Sequence, residues 1–160
     1  MGLALFRIDD RLIHGQVVTY WTRRLNINRI VISNDAVAKD PFLKKVLKMT
    51  APLGVKVNIL TQEETLAAYE AGKFEKYQLL LLVKSPEDAR ALIDGGLETD
   101  VVNVGGMGSK PGTVTLYKNV SALPEQIEIF RELTARGISI QFQILPDHDV
   151  VTFDRLKLTT

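Results

Sequence analysis

The feature that most constrains the fold is an apolar run at residues 78–83, Gln-Leu-Leu-Leu-Leu-Val, with polar segments on both sides. A strand that is apolar at nearly every position is typical of a strand buried on both faces, as in the centre of a parallel sheet. Parallel strands need crossover connections, which are usually helices. The run therefore predicts an α/β protein rather than a half-exposed antiparallel sheet.

The rest of the chain alternates between strand and helix patterns, as a parallel sheet requires. The predicted strands lie at 3–8, 29–33, 55–60, 78–83, 101–104 and 138–144, with a short edge strand at 113–116. The predicted helices lie at 15–25, 40–51, 61–72, 85–95 and 121–136, and the tail from 146 to 160 has no clear period. Asp40, Thr61 and Ser85 are predicted helix caps. The alternation predicts an open, doubly wound, mostly parallel sheet of about six to seven strands with helices on both faces.

Composition and charge limit the classes of function. The 160 residues, 46% of them hydrophobic, are enough for a sizeable core, so we expect residues 1–160 to form a single domain. The net charge of +1 gives no electrostatic case for binding nucleic acid or an anionic membrane. The absence of cysteine excludes disulfides, thiolate metal sites and cysteine nucleophiles. Without a signal-peptide pattern or an apolar run of membrane-span length, the chain is expected to be cytoplasmic.

Charged residues and a histidine are concentrated where the first predicted strand ends. Residues 7–15 are Arg-Ile-Asp-Asp-Arg-Leu-Ile-His-Gly, and a predicted helix begins at the end of this segment. Open α/β sheets place reactive groups on loops at the carboxyl ends of strands, beside helix N-termini. The right-handed crossover rule puts the loops after the first, second, fourth and fifth strands on one edge. We therefore expect residues 7–15 to form the functional loop.

His14 is the candidate nucleophile of this loop. A histidine side chain is largely neutral near pH 7, so one ring nitrogen keeps a lone pair that can accept a phosphoryl group. A carboxylate or a backbone carbonyl would have to hold the proton of the other nitrogen. Arg7 and Arg11 could meet the negative charge of the phosphoryl group, and Gly15 and the helix N–H groups after it could assist. These residues predict a phosphohistidine site.

Other interpretations of the loop have to be weighed against this one. Asp9 or Asp10 could pair with Arg7 or Arg11 and only shape the loop. One histidine and two aspartates within six residues lack the ligand spacing of a metal site. A serine–histidine–aspartate relay stays open, although the chain has no nucleophile-elbow motif.

Residues 105–112, Gly-Gly-Met-Gly-Ser-Lys-Pro-Gly, are a second candidate segment on the same edge. Their glycines match neither a dinucleotide-binding nor a Walker pattern. They are interpreted as a turn that needs positive φ angles, in preference to backbone that packs against the histidine loop. Asn34 and Asp35 share this edge without an assigned role, Ser85 is interpreted as a cap rather than a ligand, and His148 as a solvated tail residue.

Residues 7–17, Arg-Ile-Asp-Asp-Arg-Leu-Ile-His-Gly-Gln-Val, closely resemble the N-terminal signature of a known protein family. The signature is that of the IIB subunit of the mannose/fructose/sorbose family of the bacterial sugar phosphotransferase system. The resemblance covers essentially the whole chain and includes residues 34–40, residues 103–107 and the last strand followed by Pro146. The first motif is long and specific and shows no departure from the pattern, whereas the other segments are supportive.

The resemblance implies an open α/β fold and a phosphocarrier activity. Such subunits take a phosphoryl group from a phosphohistidine of a IIA protein and hold it on Nδ1 of the histidine that is here His14. They pass it to a sugar delivered by the membrane subunits IIC and IID. Arg7, Asp10 and Arg11 match the motif positions around this histidine.

The resemblance also implies a protein-phosphohistidine–sugar phosphotransferase that needs no nucleotide, metal or other cofactor. The donor is expected to be a separate IIA protein, and association with the inner face of the membrane is expected through the partner subunits. The sequence does not identify the sugar, and it leaves a homodimer open.

The main alternative is a non-enzymatic α/β module that binds a phosphorylated ligand at residues 7–15 through Arg7, Arg11 and the helix N-terminus. A nucleotide-binding enzyme is disfavoured because the glycine fingerprint is missing. Replacing His14 by glutamine distinguishes the phosphocarrier from the binding module, because glutamine keeps hydrogen bonding but cannot carry a phosphoryl group.

Overall fold

The computed structural model describes residues 2–156, which alternate between strands and helices. The strands are β1 (Gly2–Asp9), β2 (Arg29–Ser33), β3 (Lys56–Leu60), β4 (Gln78–Val83), β5 (Val101–Gly106), β6 (Val114–Tyr117), β7 (Val120–Ala122), β8 (Ser139–Phe142) and β9 (Val151–Thr152). The helices are α1 (Gly15–Arg24), α2 (Asp35–Ala38), α3 (Pro41–Met49), α4 (Gln62–Glu70), α5 (Pro86–Asp94) and α6 (Pro124–Ala135), with a 3-10 helix at Phe153–Arg155. Within residues 2–156, no helix is long and apolar enough to cross a bilayer.

Seven of the described strands form the main sheet, in the order β3-β2-β4-β1-β5-β8-β9. Neighbouring strands from β3 to β8 are parallel, and β9 pairs antiparallel with β8 at one edge. The predicted mostly parallel sheet is therefore confirmed, as is the common edge for the loops after β1, β2, β4 and β5. After β1 the chain continues to β2, which lies on the β4 side of β1, whereas β5 lies on the opposite side of β1. The loop after β1 thus lies where the strand order reverses, which is the usual ligand position in open α/β sheets.

The sheet separates two apolar clusters of described residues. Leu79 and Leu81 of β4 belong to a cluster that includes residues of α5 and α6, whereas Leu80 and Leu82 belong to one that includes residues of α1 and α3. These four leucines have no exposed surface, because helices cover both faces of β4. The prediction of a central strand buried on both faces is confirmed.

Polar side chains cap the N-termini of four of the described helices. Asn34, Asp40, Thr61 and Ser85 each accept a hydrogen bond from a backbone N–H in the first turn of the helix that follows. The caps predicted at Asp40, Thr61 and Ser85 are confirmed. Asn34 begins the short helix α2, which the sequence pattern did not predict.

In the second half of the chain, the predicted start of α6 was wrong, and the structure adds detail at two other segments. Helix α6 begins at Pro124 instead of residue 121, because Val120–Ala122 are buried and pair with β6 in a separate two-stranded sheet. The predicted edge strand at 113–116 corresponds to β6 and belongs to that small sheet. The tail contains β9 and the 3-10 helix, with Val151 and Thr152 paired to β8; residues 157–160 lie outside the described residues. A proline at the first helical position was the stronger signal for the start of α6.

Candidate functional site

The loop after β1 is short and is anchored in the protein interior. The Asp10 N–H donates to the carbonyl of Gly106 at 3.1 Å, and the Leu12 N–H donates to the carbonyl of Asp9 at 2.9 Å. Leu12 has a φ angle of 59°, which is rare for leucine, and its side chain is buried together with that of Ile13. Because the buried side chains over-determine this backbone conformation, the polar residues on either side keep defined positions.

Asp9 is the centre of the charged cluster. Its side chain is 2% exposed, and its Oδ2 atom lies 2.8 Å from Nε2 of His14. Its Oδ1 atom accepts a hydrogen bond from the Arg11 backbone N–H at 3.1 Å, and Nη2 of Arg7 lies 3.7 Å from Oδ2. An ionised carboxylate can only accept hydrogen bonds, so Nε2 is the protonated nitrogen of neutral His14. Nδ1 therefore keeps the free lone pair.

His14 lies between this cluster and the N-terminus of α1. Its side chain is 18% exposed, so a reacting group can reach the ring from outside. Gly15, the first residue of α1, has a φ angle of 49°, which glycine adopts far more readily than other residues. Among the described residues, no side chain caps α1. The unsatisfied N–H groups of its first turn, with the positive end of the helix dipole, therefore lie beside His14.

Arg7 has a buried guanidinium that is fully engaged. It donates to Oδ1 of Asn103 and to the carbonyls of Gln143 and Ile144, the latter two at 3.0 Å, and it lies 5.2 Å from the ring centroid of Trp21. Burial lowers the pKa of Arg7 to about 10, so the group stays charged at neutral pH. The expectation that Arg7 meets a phosphoryl group directly does not agree with this environment. Arg7 instead joins β1, β5 and the loop after β8.

Arg11 and Asp10 lie nearer the surface. The Arg11 side chain is 55% exposed, with Nε 3.9 Å from Oδ1 of Asp9, so its guanidinium is free to reorient toward a ligand. Asp10 accepts a hydrogen bond from the Gly108 backbone N–H at 2.6 Å. The Asp10 carboxylate thus ties the loop after β5 to the histidine loop, whereas the Asp9 carboxylate contacts the histidine itself.

The glycines after residue 104 make room for these charged side chains. A Cβ atom on Gly105 would overlap the Arg7 guanidinium, and one on Gly106 would lie 2.9 Å from Oδ1 of Asp9. Both glycines belong to β5 and have no positive φ; in this segment a positive φ occurs at Gly112. The preferred interpretation of the segment as a turn was therefore wrong for the first two glycines. The alternative, backbone packed against the histidine loop, describes them correctly.

Other polar residues on this edge have structural partners. Nδ2 of Asn34 donates to Oδ2 of Asp88 at 3.3 Å, and Oδ1 of Asp35 accepts from the Gln62 backbone N–H at 2.8 Å. Burial raises the pKa of the Asp88 carboxyl, and the hydrogen bonds from neighbouring side chains only partly oppose this effect. Within residues 2–156, no three histidine, aspartate or glutamate side chains are grouped closely enough to hold a metal ion.

Several residues of the site were not predicted from the sequence. The family resemblance pointed to Asp10 as the aspartate of the site and left Asp9 out, whereas in the structure Asp9 contacts His14 and Asp10 accepts from the Gly108 N–H. The two aspartates are adjacent, and the residue pattern alone does not tell them apart. Asn103 offered a signal, since it is the polar residue of the otherwise apolar segment Val-Val-Asn-Val. The interpretation of His148 as solvated was wrong, because the residue is half-buried and its carbonyl accepts from Nε2 of Gln143 at 2.9 Å.

Comparison with known proteins places the chain in one family. Residues 3–159 match the family described as the PTS system sorbose subfamily IIB component, where PTS denotes the phosphotransferase system. The sorbose-specific EIIB component of Klebsiella pneumoniae is 36% identical over 160 residues, which cover 99% of this chain and 98% of the relative. The mannose-specific EIIAB component of Escherichia coli K12 is 39% identical over 141 residues, covering 88% of this chain but 44% of the relative. The chain therefore matches less than half the length of that second protein.

Solved structures agree with this relationship. The crystal structure of the IIBSor domain of the sorbose permease from Klebsiella pneumoniae superimposes with a TM-score of 0.89 at 36% identity, covering 94% of this chain and 93% of that chain. A structure described as a phosphoenolpyruvate-dependent phosphotransferase system gives a TM-score of 0.90 at 31% identity, covering 97% and 96%. The chain belongs to the sorbose subfamily of PTS IIB components, which are phosphotransferase subunits and phosphocarriers in sugar uptake.

Proposed function

We propose that His14 accepts a phosphoryl group at Nδ1 from the phosphohistidine of a IIA protein. It then transfers this group to a sugar delivered by IIC and IID membrane subunits. The observation that supports this most directly is the 2.8 Å contact between Nε2 of His14 and the buried carboxylate of Asp9. With an ionised Asp9 and a neutral His14, this contact supports a proton on Nε2 and Nδ1 as the nucleophile. In this proposal residues 1–160 form one IIB domain, which works in the cytoplasm and meets the membrane through its partner subunits.

The first transfer requires little movement of protons. The Nδ1 lone pair of His14 attacks the phosphorus atom, the P–N bond to the IIA histidine breaks, and its electron pair returns to the IIA imidazole. The Nε2 proton stays with His14, so the phosphorylated ring carries positive charge. The Asp9 carboxylate stabilises that charge, as an aspartate beside a catalytic histidine does in other enzymes. Such transfers depend on positioning and charge neutralisation more than on acid–base catalysis.

In the second transfer the phosphorylated His14 is the donor, and the sugar is the acceptor. A sugar hydroxyl attacks, its proton passes to solvent or to a base of the membrane subunits, and the P–Nδ1 electron pair returns to His14. The ring is then neutral again, with the Nε2 proton still held by Asp9. In neither step does a proton have to move between Nε2 and Nδ1 of His14.

Arg11 and the start of α1 are proposed to hold the phosphoryl oxygens. The guanidinium of Arg11 is exposed and can form charge-assisted hydrogen bonds, and the free N–H groups after Gly15 add the anion affinity of a helix N-terminus. Arg7 and Asp10 are positioning residues in this proposal. The buried guanidinium of Arg7 lies beside the Asp9 carboxylate and holds it in position. The Asp10 carboxylate accepts from the Gly108 N–H and so holds the backbone of the loop after β5.

The test is phosphoryl transfer from phosphoenolpyruvate through the general phosphotransferase proteins and candidate IIA proteins. We expect acid-labile, alkali-stable phosphate on the wild type and none on His14→Gln. Arg11→Ala should fold normally and slow the transfer by about 100- to 1,000-fold, the usual cost of removing one charge-stabilising donor. Arg24→Ala is the matched control, because Arg24 is also exposed but pairs with Asp147 at the other end of α1.

Three results would contradict the proposal. Label on His14→Gln would exclude the histidine as acceptor, and acid-stable phosphate would indicate a hydroxyl acceptor instead. Normal kinetics in a folded Arg11→Ala variant would remove the role of Arg11. The non-enzymatic binding module is not favoured, because the family to which the chain belongs consists of phosphotransferase subunits.

A further inference from the structure

The outer face of α3 carries a row of exposed apolar side chains. Phe42, Val46 and Met49 recur at helical spacing and are 76%, 38% and 75% exposed, and Leu53 in the following turn is 103% exposed. We call these four residues the α3 stripe. The same helix also packs its Leu47 in the interior, so the stripe is additional to the side that holds α3 on the sheet. Contiguous exposed apolar residues of this size indicate a binding surface.

Lysines lie on one side of the stripe. At about 100° per residue, Lys45 and Lys48 lie on the flank away from Leu47, and the partly buried Lys44 lies beyond them on the far side of the helix. Lys39 precedes the helix, and the four lysines outnumber the nearby carboxylates of Asp40, the N-cap, and of Glu64, which interacts with Lys44. The three helical lysines and Met49 also line a shallow groove of about 500 Å³. The surface therefore combines a row of apolar side chains with a local excess of positive charge, although the net charge of the whole chain is only +1.

We propose that the α3 stripe binds the surface of a bilayer that contains anionic lipids. An interfacial helix has large apolar side chains on one side and lysines on the adjoining polar side, and its affinity combines apolar burial with attraction to anionic headgroups. The side chain of Leu53 is fully exposed, and a fluid hydrocarbon layer accepts such a residue without a shaped pocket. The lysine flank supplies the charge complementarity.

A second copy of the chain fits this surface less well. A symmetric dimer that pairs two copies of α3 antiparallel would bring the lysine flanks to the same side of the interface, where they repel each other. The bilayer proposal is independent of the phosphoryl transfer proposed above. It adds a contact of this chain with lipid to the expected contacts with membrane subunits. Helix α3 follows β2 and α2, so it begins at the sheet edge that carries His14, and lipid binding would keep that edge near the membrane.

The test is co-sedimentation with large vesicles of phosphatidylcholine, with or without about one-third phosphatidylglycerol. We expect binding to the anionic vesicles that weakens as salt is raised. The triple variant Lys44→Gln, Lys45→Gln, Lys48→Gln should bind about a hundredfold more weakly, since each lysine contributes about fivefold. Phe42→Ser should lower the affinity about tenfold through the lost apolar burial.

Matched controls come from the β6–β7 hairpin, which packs on the other core. Val114 and Lys118 are exposed there, so Val114→Ser and Lys118→Gln should bind vesicles like the wild type. Because the substituted residues are exposed, apart from the partly buried Lys44, the thermal midpoints of the variants should match that of the wild type. His14→Gln should also bind vesicles normally, which separates this test from that of phosphoryl transfer.

A second measurement reports direct lipid contact. The single tryptophan, Trp21, is buried, so a tryptophan introduced by Phe42→Trp dominates the response to brominated lipids. Quenching in Phe42→Trp but not in Val114→Trp would support the proposal. Absence of vesicle binding, or binding that the stripe and lysine variants leave unchanged, would overturn it. A dimer that Phe42→Ser dissociates, or binding that requires IIC and IID, would also overturn it in favour of a protein partner.

Discussion

Asp9→Asn is the substitution that most directly tests the assignment of the ring proton. In the wild type, Oδ2 of Asp9 accepts from Nε2 of His14 at 2.8 Å, and Oδ1 accepts from the Arg11 backbone N–H at 3.1 Å. Asparagine has the same shape but replaces one of these acceptors by an NH₂ donor. If the amide oxygen stays with Arg11, the NH₂ group faces His14. The ring must then accept at Nε2 and carry its proton on Nδ1, which removes the nucleophile.

The opposite orientation of the amide is also unfavourable. It keeps the proton on Nε2 of His14, but it sets the NH₂ group against the Arg11 N–H, so a part-buried donor loses its partner. Such a loss costs about 1–3 kcal/mol. This energy corresponds to roughly a 5- to 150-fold smaller population of the reactive form. The phosphorylated ring also loses the carboxylate that stabilises its positive charge, so we expect transfer from IIA to slow at least to this extent.

Two assays check this prediction. Nitrogen NMR of the imidazole rings reports the protonated nitrogen, and the chain has two histidines, so His148→Gln leaves the signals of His14 alone. Rapid-quench phosphorylation by IIA then gives the transfer rate. Asp10→Asn is the control, because Asp10 accepts from Gly108 instead of His14, so the tautomer should not change. A wild type with the proton on Nδ1, or an Asp9→Asn variant with wild-type transfer, would refute the reasoning.

Two further predictions concern the support of the site and the polar cluster beside it. Gly105→Ala should lower the free energy of unfolding by about 1–3 kcal/mol in denaturant titrations, because its Cβ overlaps the fixed guanidinium of Arg7. Gly108→Ala meets only an exposed carboxylate at 3.3 Å and should cost less than about 1 kcal/mol; equal costs would contradict the steric argument. Burial raises the pKa of Asp88, because it disfavours the ionised carboxylate in the folded protein. The contribution of Asp88 to the free energy of unfolding is therefore full at pH values below the ordinary aspartate pKa, and it is lost as pH rises through the raised pKa. The stability of Asp88→Asn relative to the wild type should therefore increase with pH across that window in thermal unfolding, and a difference independent of pH would count against the shift.

Most of the local structure could be predicted from the sequence. Residues 78–83 form the central strand, and Asp40, Thr61 and Ser85 cap the helices that follow them. These features depend on neighbours within a few positions, so periodicity and capping chemistry reveal them. The strand at Val120–Ala122 was missed because it is short and because pairing with β6, rather than its own residue pattern, stabilises it.

Residue patterns along the chain were enough to predict the order of the elements, the parallel sheet and the loop that carries His14. The roles of the residues within that loop depend on how the strands pack. The register of β1 against β5 places Arg7 opposite Asn103 and shifts by one residue at Gly105, so that Asp9 lies opposite Gly106. Arg7 is buried and Asp9 is aimed at the histidine because of contacts between residues almost a hundred positions apart. Adjacent aspartates and neighbouring arginines look alike in a pattern, and only the packed strands give them different environments.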